Sequence, residues 1–263
     1  MHTIHQIWFD IGNGNMPARN HQETMRRTSG MDVATWDLKS AEALLQRVHY
    51  PQLDLLDLWK RLPHGINKAD FFRYVLLYRL GGAYFDLDFV CARPLADFFR
   101  PNTVVLAEEW PFSLRDGSLH NGAMICRDAR HPFWEAVFDE VHARLGALRG
   151  DADRGDIQRS VFKLTGTAML RDVAVKYLRG SRAAAAPVVV APFGVFCPLL
   201  NHDGACIDSY ESARAAGTLR NLRLPERAPA NAHTHAFLAP APKLWQQSFP
   251  PPRARARTPP PDS

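Results

Sequence analysis

The sequence predicts an α/β fold in which a mostly parallel, Rossmann-type sheet carries helices on both faces. Short segments rich in β-branched residues alternate along the chain with longer helical patterns, at a spacing typical of βα units. Segment 67–80 is apolar around most of its circumference, which favours a helix buried against such a sheet. Gly81 and Gly82 end this helix, and another β-favouring segment, 83–90, follows at once.

The first predicted strand, residues 3–9, is a short apolar segment that ends in Asp10 and a turn-rich loop at residues 12–17. Ser40 and Asn67 are predicted N-caps, since both side chains favour that position. The other predicted elements are strands at 32–36, 103–107 and 187–191, and helices at 41–48, 67–80, 131–148 and 165–178. Ligands of such sheets bind beyond the carboxyl ends of the strands.

A chain of 263 residues can bury one sizeable core, so we expect a single domain over residues 1–248. Residues 249–263 hold six of the 20 prolines and predict a disordered or polyproline-like tail. The proline-rich ends of this tail fit an SH3-type partner, and a solubilising terminus is the alternative. The tail supplies +2 of the net charge of +5, which leaves too small a basic excess for a nucleic-acid partner.

The sequence contains no run of about 18 apolar residues, and its start lacks the charged-then-apolar order of an export signal. We therefore expect neither a transmembrane segment nor secretion, and predict a protein of the cytosol, with peripheral contact to a cytosolic membrane face through the basic tail as the alternative. The four cysteines form no CxxC pair, which argues against a structural zinc site.

Charged residues in segment 67–90 indicate a functional site. Asp70 and Arg73 lie three residues apart on one face of a buried helix, where charges are costly unless they are paired or meet a ligand. A structural ion pair is the alternative interpretation. In the next strand, period-2 alternation places Tyr84, Asp86 and Asp88 on one face. Two carboxylates this close repel each other, and a hard divalent cation with oxygen ligands removes the conflict.

Residues 69–74 and 80–88 together resemble the signature of the DXD-motif glycosyltransferases, which include initiating α-mannosyltransferases, capsular sugar transferases and clostridial glucosylating toxins. Residues 4–9 are similar to the first strand of that family, and residues 120–123 resemble its later asparagine-containing element. Thr165-Gly166-Thr167 is similar to a Thr-Gly-Pro motif in which proline is replaced. The resemblance implies a GT-A-like fold and a hexosyltransferase that uses a UDP- or GDP-sugar.

The same resemblance implies roles for individual residues. It places Trp8 against the nucleotide base, and Asp70 and Arg73 on the donor sugar. Tyr84 is expected at the ribose, and Asp86 at the ribose or the sugar and at metal-bound water. Asp86 and Asp88, together with Arg73, form the expected catalytic group.

Asp88 is expected to ligate Mn²⁺ or Mg²⁺ at the diphosphate. Asn121 is expected to bind the donor, and Trp245 to cover the diphosphate, with His233 and His235 as weaker metal ligands. Two ordinary polar loop residues are the alternative for the histidines. The expected reaction, by resemblance, is transfer with retention to a carbohydrate or lipid-linked hydroxyl.

Two other functions remain open from the sequence. One is a nucleotide-sugar-binding protein without turnover, since fold and ligand contacts would be nearly the same. The other is a phosphatase of the haloacid dehalogenase type, because Asp86 and Asp88 end a strand there as well. That group has Gly or Thr after the second aspartate, whereas this chain has Phe89.

Overall fold

The computed structural model describes residues 2–9, 20–87, 89–91, 95–108, 119–148, 161–191 and 236–238. The strands are β1 (Thr3–Ile7), β2 (Asp32–Trp36), β3 (Gly82–Phe85), β4 (Phe89–Cys91), β5 (Val104–Glu108), β6 (Leu119–Cys126), β7 (Val188–Ala191) and β8 (Ala236–Leu238). The α-helices are α1 (Asn20–Ser29), α2 (Leu38–Leu45), α3 (Leu55–Arg61), α4 (Gly65–Leu80), α5 (Pro132–Gly146) and α6 (Thr167–Leu178). A π-helical turn (Val161–Thr165) precedes α6, and two 3₁₀ turns span Ala96–Phe98 and Ser181–Ala184.

Six strands form the main sheet in the order β2-β1-β3-β6-β5-β7. β1 is parallel to both β2 and β3, and β5 is parallel to β7. Only β6 among these strands runs against its neighbours, β3 and β5. β4 and β8 form a separate antiparallel pair. The predicted α/β class with a mostly parallel sheet is therefore confirmed.

Helices cover both faces of the sheet, because its strands alternate apolar side chains between two cores. In β3, Tyr84 points into a core that contains residues of α2 to α6. Ala83 and Phe85 point into a second core, which contains Met25 of α1 and Phe98 of the first 3₁₀ turn. β3 is thus apolar on both faces, as expected of a central strand in a covered sheet.

Both predicted N-caps are wrong. The N-cap of α2 is Asp37, whose carboxylate accepts from the backbone N–H of Ser40 at 2.7 Å, and Ser40 completes the capping box from inside the helix. Helix α4 begins at Gly65 after His64, so Asn67 already lies within the helix. The Asn67 side chain instead donates to Thr165 Oγ1 at 2.9 Å. A cap signature places a helix start within a turn and does not identify the capping residue.

The strand predicted over residues 83–90 is interrupted. β3 ends at Phe85, and the N–H of Phe89 donates to the carbonyl of Asp86 at 3.0 Å, which closes a turn. β4 then pairs with β8 outside the main sheet. The period-2 argument therefore holds through Phe85 but does not extend to Asp88, which lies outside the described residues.

The paired glycines between α4 and β3 are required by the backbone. Gly81 and Gly82 have φ of 66° and 93°, in the left-handed region that disfavours side chains. A Cβ at Gly81 would stand 2.6 Å from the carbonyl oxygen of Arg127. The chain can therefore turn directly from α4 into the centre of the sheet.

The predicted loop at residues 12–17 and the predicted tail at residues 249–263 lie outside the described residues. None of the described helices is long and apolar enough to span a membrane.

Candidate functional site

The candidate site lies where β3 ends beside the start of β6. Asp86 directly follows β3, and its backbone N–H donates to the carbonyl of Gly122 at 2.9 Å. On its other side β6 pairs with β5 irregularly: Leu106 is opposite Met124, but the next residue, Ala107, is opposite His120. Residues 121–123 therefore form a bulge relative to β5. Bulges change the direction of side chains and often occur beside functional sites.

Arg73 connects the two halves of the site. Its Nη2 lies 2.9 Å from Asp70 Oδ1, and its Nη1 lies 3.2 Å from Asp86 Oδ1. Nη1 also donates to the carbonyl of Asn121 at 2.9 Å, and the guanidinium lies over the Tyr84 ring, 4.6 Å from its centre. Arg73 and Asp70 side chains are each 5% exposed, whereas that of Asp86 is 26% exposed. The charged group is therefore open to solvent only at the Asp86 end.

Asp70 is fully occupied by contacts within the protein. Besides Arg73, its Oδ1 accepts from Asn121 Nδ2 at 3.1 Å, and its Oδ2 accepts from Thr165 Oγ1 at 3.1 Å. The position of Thr165 is held in turn by Tyr74, whose hydroxyl donates to the Thr165 carbonyl at 2.7 Å. The π-helical turn thus places the Thr165 hydroxyl against the buried face of α4. Both carboxylate oxygens of Asp70 have partners within the protein, so neither is free for a ligand.

The electrostatics follow from two carboxylates that share one cation. Burial raises the pKa of Asp70, Arg73 opposes this rise and Asp86 adds to it, and the resulting pKa is about 6. Burial alone would lower the pKa of Arg73, but Asp86, Tyr84 and Asp70 together raise it above its usual range. Arg73 is therefore charged at any physiological pH. With both acids ionised, the group carries one net negative charge.

Asp86 is held on one oxygen only. The Tyr84 hydroxyl donates to Oδ1 at 2.6 Å, and Arg73 contacts the same oxygen. Among the described residues, none makes a hydrogen bond or ion pair with Oδ2. This oxygen lies against the Cα of Gly122, where any Cβ would overlap it and the ring of His120. Gly122 therefore leaves the space that Asp86 Oδ2 and the His120 ring occupy.

His120 is a site residue that the sequence reasoning missed. Its Nδ1 accepts from the backbone N–H of Gly122 at 2.9 Å, and Phe89 meets its ring edge-on with centroids 5.5 Å apart. Burial lowers the pKa of His120, so the ring is neutral at neutral pH. The one signal in the sequence was its place next to Asn121, in the element already singled out by resemblance.

Five of the predicted site residues form one cluster in the structure: Asp70, Arg73, Tyr84, Asp86 and Asn121. Trp8 follows β1, half-buried, with its backbone N–H donating to the carbonyl of Trp36 at 2.8 Å. Asp88, His233, His235 and Trp245 lie outside the described residues. Within the described ranges, no group of three or more His, Cys, Asp or Glu side chains could hold a metal ion. The roles assigned by resemblance stay predictions.

The matching family model and the sequence relatives agree with the resemblance. Residues 17–109 match the family model of the glycosyltransferase sugar-binding region containing the DXD motif. An uncharacterized glycosyltransferase of Acanthamoeba polyphaga mimivirus is 26% identical over 215 residues, which cover 79% of this chain and 78% of the relative. Inositol phosphoceramide mannosyltransferase 1 of Schizosaccharomyces pombe is 26% identical over 146 residues, or 53% of this chain and 41% of the relative. The solved structure of the PaToxG glycosyltransferase aligns with a TM-score of 0.46 and 14% identity, covering 84% of this chain and 74% of that chain.

Proposed function

We propose, for a chain that belongs to the DXD-motif glycosyltransferases, that the Asp70–Arg73–Asp86 site binds a nucleotide diphosphate-sugar and transfers its hexose. The acceptor is a hydroxyl of a carbohydrate or of a lipid-linked molecule. The observation that supports this proposal is a buried charged group whose only exposed member, Asp86, lies at the carboxyl end of a central strand. Ligands of α/β sheets bind at that edge.

The donor is a UDP- or GDP-sugar, and a mannose nucleotide is the first to test. One of the relatives is a mannosyltransferase by name, which favours mannose among the hexoses. A partly exposed carboxylate such as Asp86 suits the hydroxyl groups of a sugar, since its oxygens accept hydrogen bonds from neutral hydroxyls. Trp8 would lie against the base, and Trp245 would cover the diphosphate.

A divalent cation, Mn²⁺ or Mg²⁺, fits the donor set in part. Asp86 Oδ2 is the one carboxylate oxygen of the cluster without a hydrogen bond or ion pair within the described residues, and hard cations prefer such oxygens. Because Arg73 already compensates the charge of Asp86, we assign Asp86 to metal-bound water and sugar. Asp88 would then be the direct ligand, with His233 and His235 as further candidates. A bound cation would stabilise the negative charge that grows on the departing diphosphate.

The residues around Arg73 position the site. Asp70, enclosed by Asn121 and Thr165, fixes the guanidinium, and Tyr84 fixes the Asp86 carboxylate. Such preorganised groups act without reorganising during the reaction. Asp70 and Tyr84 therefore act through Arg73 and Asp86 rather than by touching the sugar.

Retention of anomeric configuration is the proposed stereochemical outcome. Asp70 is enclosed and Asp86 is ion-paired, so neither carboxylate is placed as a free nucleophile. Attack on the same face as the departing diphosphate is then the simplest route. NMR of the product formed from a donor of known anomeric configuration tests this, and an inverted product would contradict it.

The experiment that tests the proposed function is a panel of UDP-glucose, UDP-galactose and GDP-mannose with Mn²⁺, Mg²⁺ or EDTA. We expect slow release of nucleoside diphosphate without acceptor, abolished by EDTA and by Asp88→Ala. Lys39→Ala is the control, because Lys39 is exposed on α2, and it should turn over like the parent. Cleavage of p-nitrophenyl phosphate would favour the phosphatase, and binding without release would favour a binding protein. Full activity of Asp88→Ala would refute the metal assignment.

A further inference from the structure

The bulge in β6 places the ring of His120 beside the oxygen of Asp86 that makes no hydrogen bond within the described residues. Cε1 of His120 lies 2.5 Å from the point that a Gly122 Cβ would occupy, and Asp86 Oδ2 is closer still to that point. Nδ1 of the same ring lies 2.9 Å from that point, so the Cε1–Nδ1 edge of the imidazole and the carboxylate oxygen meet at Gly122. Nε2 is bonded to Cε1 and lies one atom beyond this edge.

The hydrogen bond to Gly122 decides which ring nitrogen carries the proton. Nδ1 of His120 accepts from the Gly122 N–H at 2.9 Å, so a neutral ring carries its hydrogen on Nε2. Among the described residues, no partner hydrogen-bonds to Nε2. This tautomer excludes His120 as a metal ligand through Nε2, because a metal needs the lone pair that the proton occupies. The Nε2–H of His120 is therefore a hydrogen-bond donor without an acceptor among the described residues.

The two neighbouring groups select one kind of ligand. Asp86 Oδ2 accepts hydrogen bonds, and His120 Nε2–H donates one. A phosphate oxygen can only accept and would be repelled by the carboxylate, whereas metal-bound water offers its hydrogens but no good lone pair. A hydroxyl group donates and accepts at once, so it can satisfy both partners.

We propose that His120 is a specificity-determining residue, whose Nε2–H and Asp86 Oδ2 together bind one hydroxyl of the transferred hexose. This inference rests on the proposed function, since it concerns the sugar of the same donor. Removal of that hydroxyl would leave both protein groups unpaired, which sites of this kind penalise strongly. His120 thereby contributes to the choice among hexoses.

Two substitutions separate ligand binding from a role in holding the bulge. In His120→Asn the side-chain oxygen stands near the place of Nδ1, so the bond to Gly122 is kept and the distal donor is lost. In His120→Gln the amide nitrogen stands near the place of Nε2, so the distal donor is kept. Thermal melting of both variants shows whether the fold is intact. His142→Gln on the exposed face of α5 is the control, because it changes a histidine away from the site.

The measurement is kcat/KM for the best hexose donor of the panel and for its four monodeoxy analogues. We expect His120→Asn to lose ~10- to 100-fold with the full donor, as for one hydrogen bond to a charged or buried partner. With one particular deoxy donor, the same variant should stay within ~3-fold of the parent, because the hydroxyl is already absent. His120→Gln should recover part of the loss with the full donor.

Other results overturn the inference. If His120→Asn equals the parent with every donor, or loses the same factor with all monodeoxy donors, His120 does not bind a sugar hydroxyl. If His120→Gln is impaired more than His120→Asn, the ring only anchors Gly122. These outcomes leave the proposed function standing. A parent that releases no nucleoside diphosphate from any donor refutes the proposed function itself.

Discussion

Two arginines in this protein each lie between two carboxylates, and they differ mainly in burial. Arg73 contacts Asp70 and Asp86, with its own side chain 5% exposed. Arg144 of α5 contacts Glu140 at 2.8 Å and Asp172 of α6 at 2.9 Å, with its side chain 23% exposed. Each arginine also donates to a backbone carbonyl, that of Asn121 for Arg73 and that of Lys163 for Arg144.

The difference in burial reverses the effect on the acids. At Asp172, partial burial raises the pKa, but Arg144 and Arg171 outweigh it and the pKa is lowered. At Asp70, complete burial outweighs Arg73 and raises the pKa to about 6. The partly exposed ion pairs of Arg144 therefore connect α5 and α6 with little desolvation of charge. The buried ion pairs of Arg73 carry a large desolvation cost. Because buried ion pairs seldom increase stability over apolar packing, the Arg73 group is better explained by function.

The largest expected effect is that of Arg73→Ala compared with Arg144→Ala. Removal of Arg73 leaves Asp70 buried without its cation, which should lower the free energy of unfolding by about 3–5 kcal/mol. Removal of Arg144 should cost about 1 kcal/mol, as expected for partly exposed ion pairs. Urea unfolding measures both changes, and nucleoside diphosphate release should be lost only in Arg73→Ala.

Arg73→Lys sharpens the same comparison, because it keeps the charge. Lysine cannot contact two carboxylates and a carbonyl with one planar fork, so the variant should retain the fold yet lose ~100-fold or more in kcat/KM. Arg144→Lys is the matched control and should keep parental activity. Equal activity of Arg73→Lys and the parent would show that positive charge alone is sufficient at this site.

The next prediction concerns how the free energy of unfolding depends on pH through Asp70 and Asp172. The folded pKa of Asp70 lies above the ordinary value of 3.8, so the native state holds this proton more tightly than the unfolded chain. The resulting stability is present below about pH 4 and is lost as the pH rises through about 6. Asp70→Asn imitates the protonated acid at every pH. The difference in unfolding free energy, Asp70→Asn minus parent, should therefore become more positive by up to about 3 kcal/mol as the pH rises from 4 to 7.

Asp172→Asn should show the opposite sign. The lowered pKa of Asp172 contributes stability above the ordinary carboxyl pKa, and this is lost as the pH falls through the lower folded value. The asparagine variant should thus be less stable than the parent at pH 7, and the gap should close on acidification. Urea titrations at several pH values measure both gaps. A gap of the same sign for both variants would contradict the contrast between the two arginine groups.

The local part of the site could be predicted from the sequence. The helix period places Asp70 and Arg73 on one face, and the strand period places Tyr84 on β3, directly before the end of the strand at Phe85. The sequence also predicted that Gly81 and Gly82 end the helix and lead directly into the strand. Asn121 was found only by resemblance, since a strand pattern does not show a bulge.

The distant partners could not be predicted. Thr165 lies 95 residues from Asp70 in sequence, and only the packing of the π-helical turn on α4 brings its hydroxyl to the carboxylate. His120 was missed because the register change opposite Leu106 depends on the pairing of β5 with β6. Strand alternation failed beyond Phe85, where a turn replaces the strand. Long-range pairing and local interruptions both depend on the tertiary fold, which period arguments do not contain.

The smallest expected effect tests the hydroxyl that holds Asp86. Tyr84→Phe removes the hydrogen bond to Asp86 Oδ1 and keeps the ring beneath Arg73. Tyr50→Phe is the matched control, because the Tyr50 hydroxyl donates to Asp139 Oδ1 at 3.0 Å. Both variants should lose about 1 kcal/mol of stability. Only Tyr84→Phe should lose activity, by ~10-fold in kcat/KM, since a freed Asp86 carboxylate is less well oriented. Equal activities of the two variants, with equal losses of stability, would mean that Arg73 alone orients Asp86.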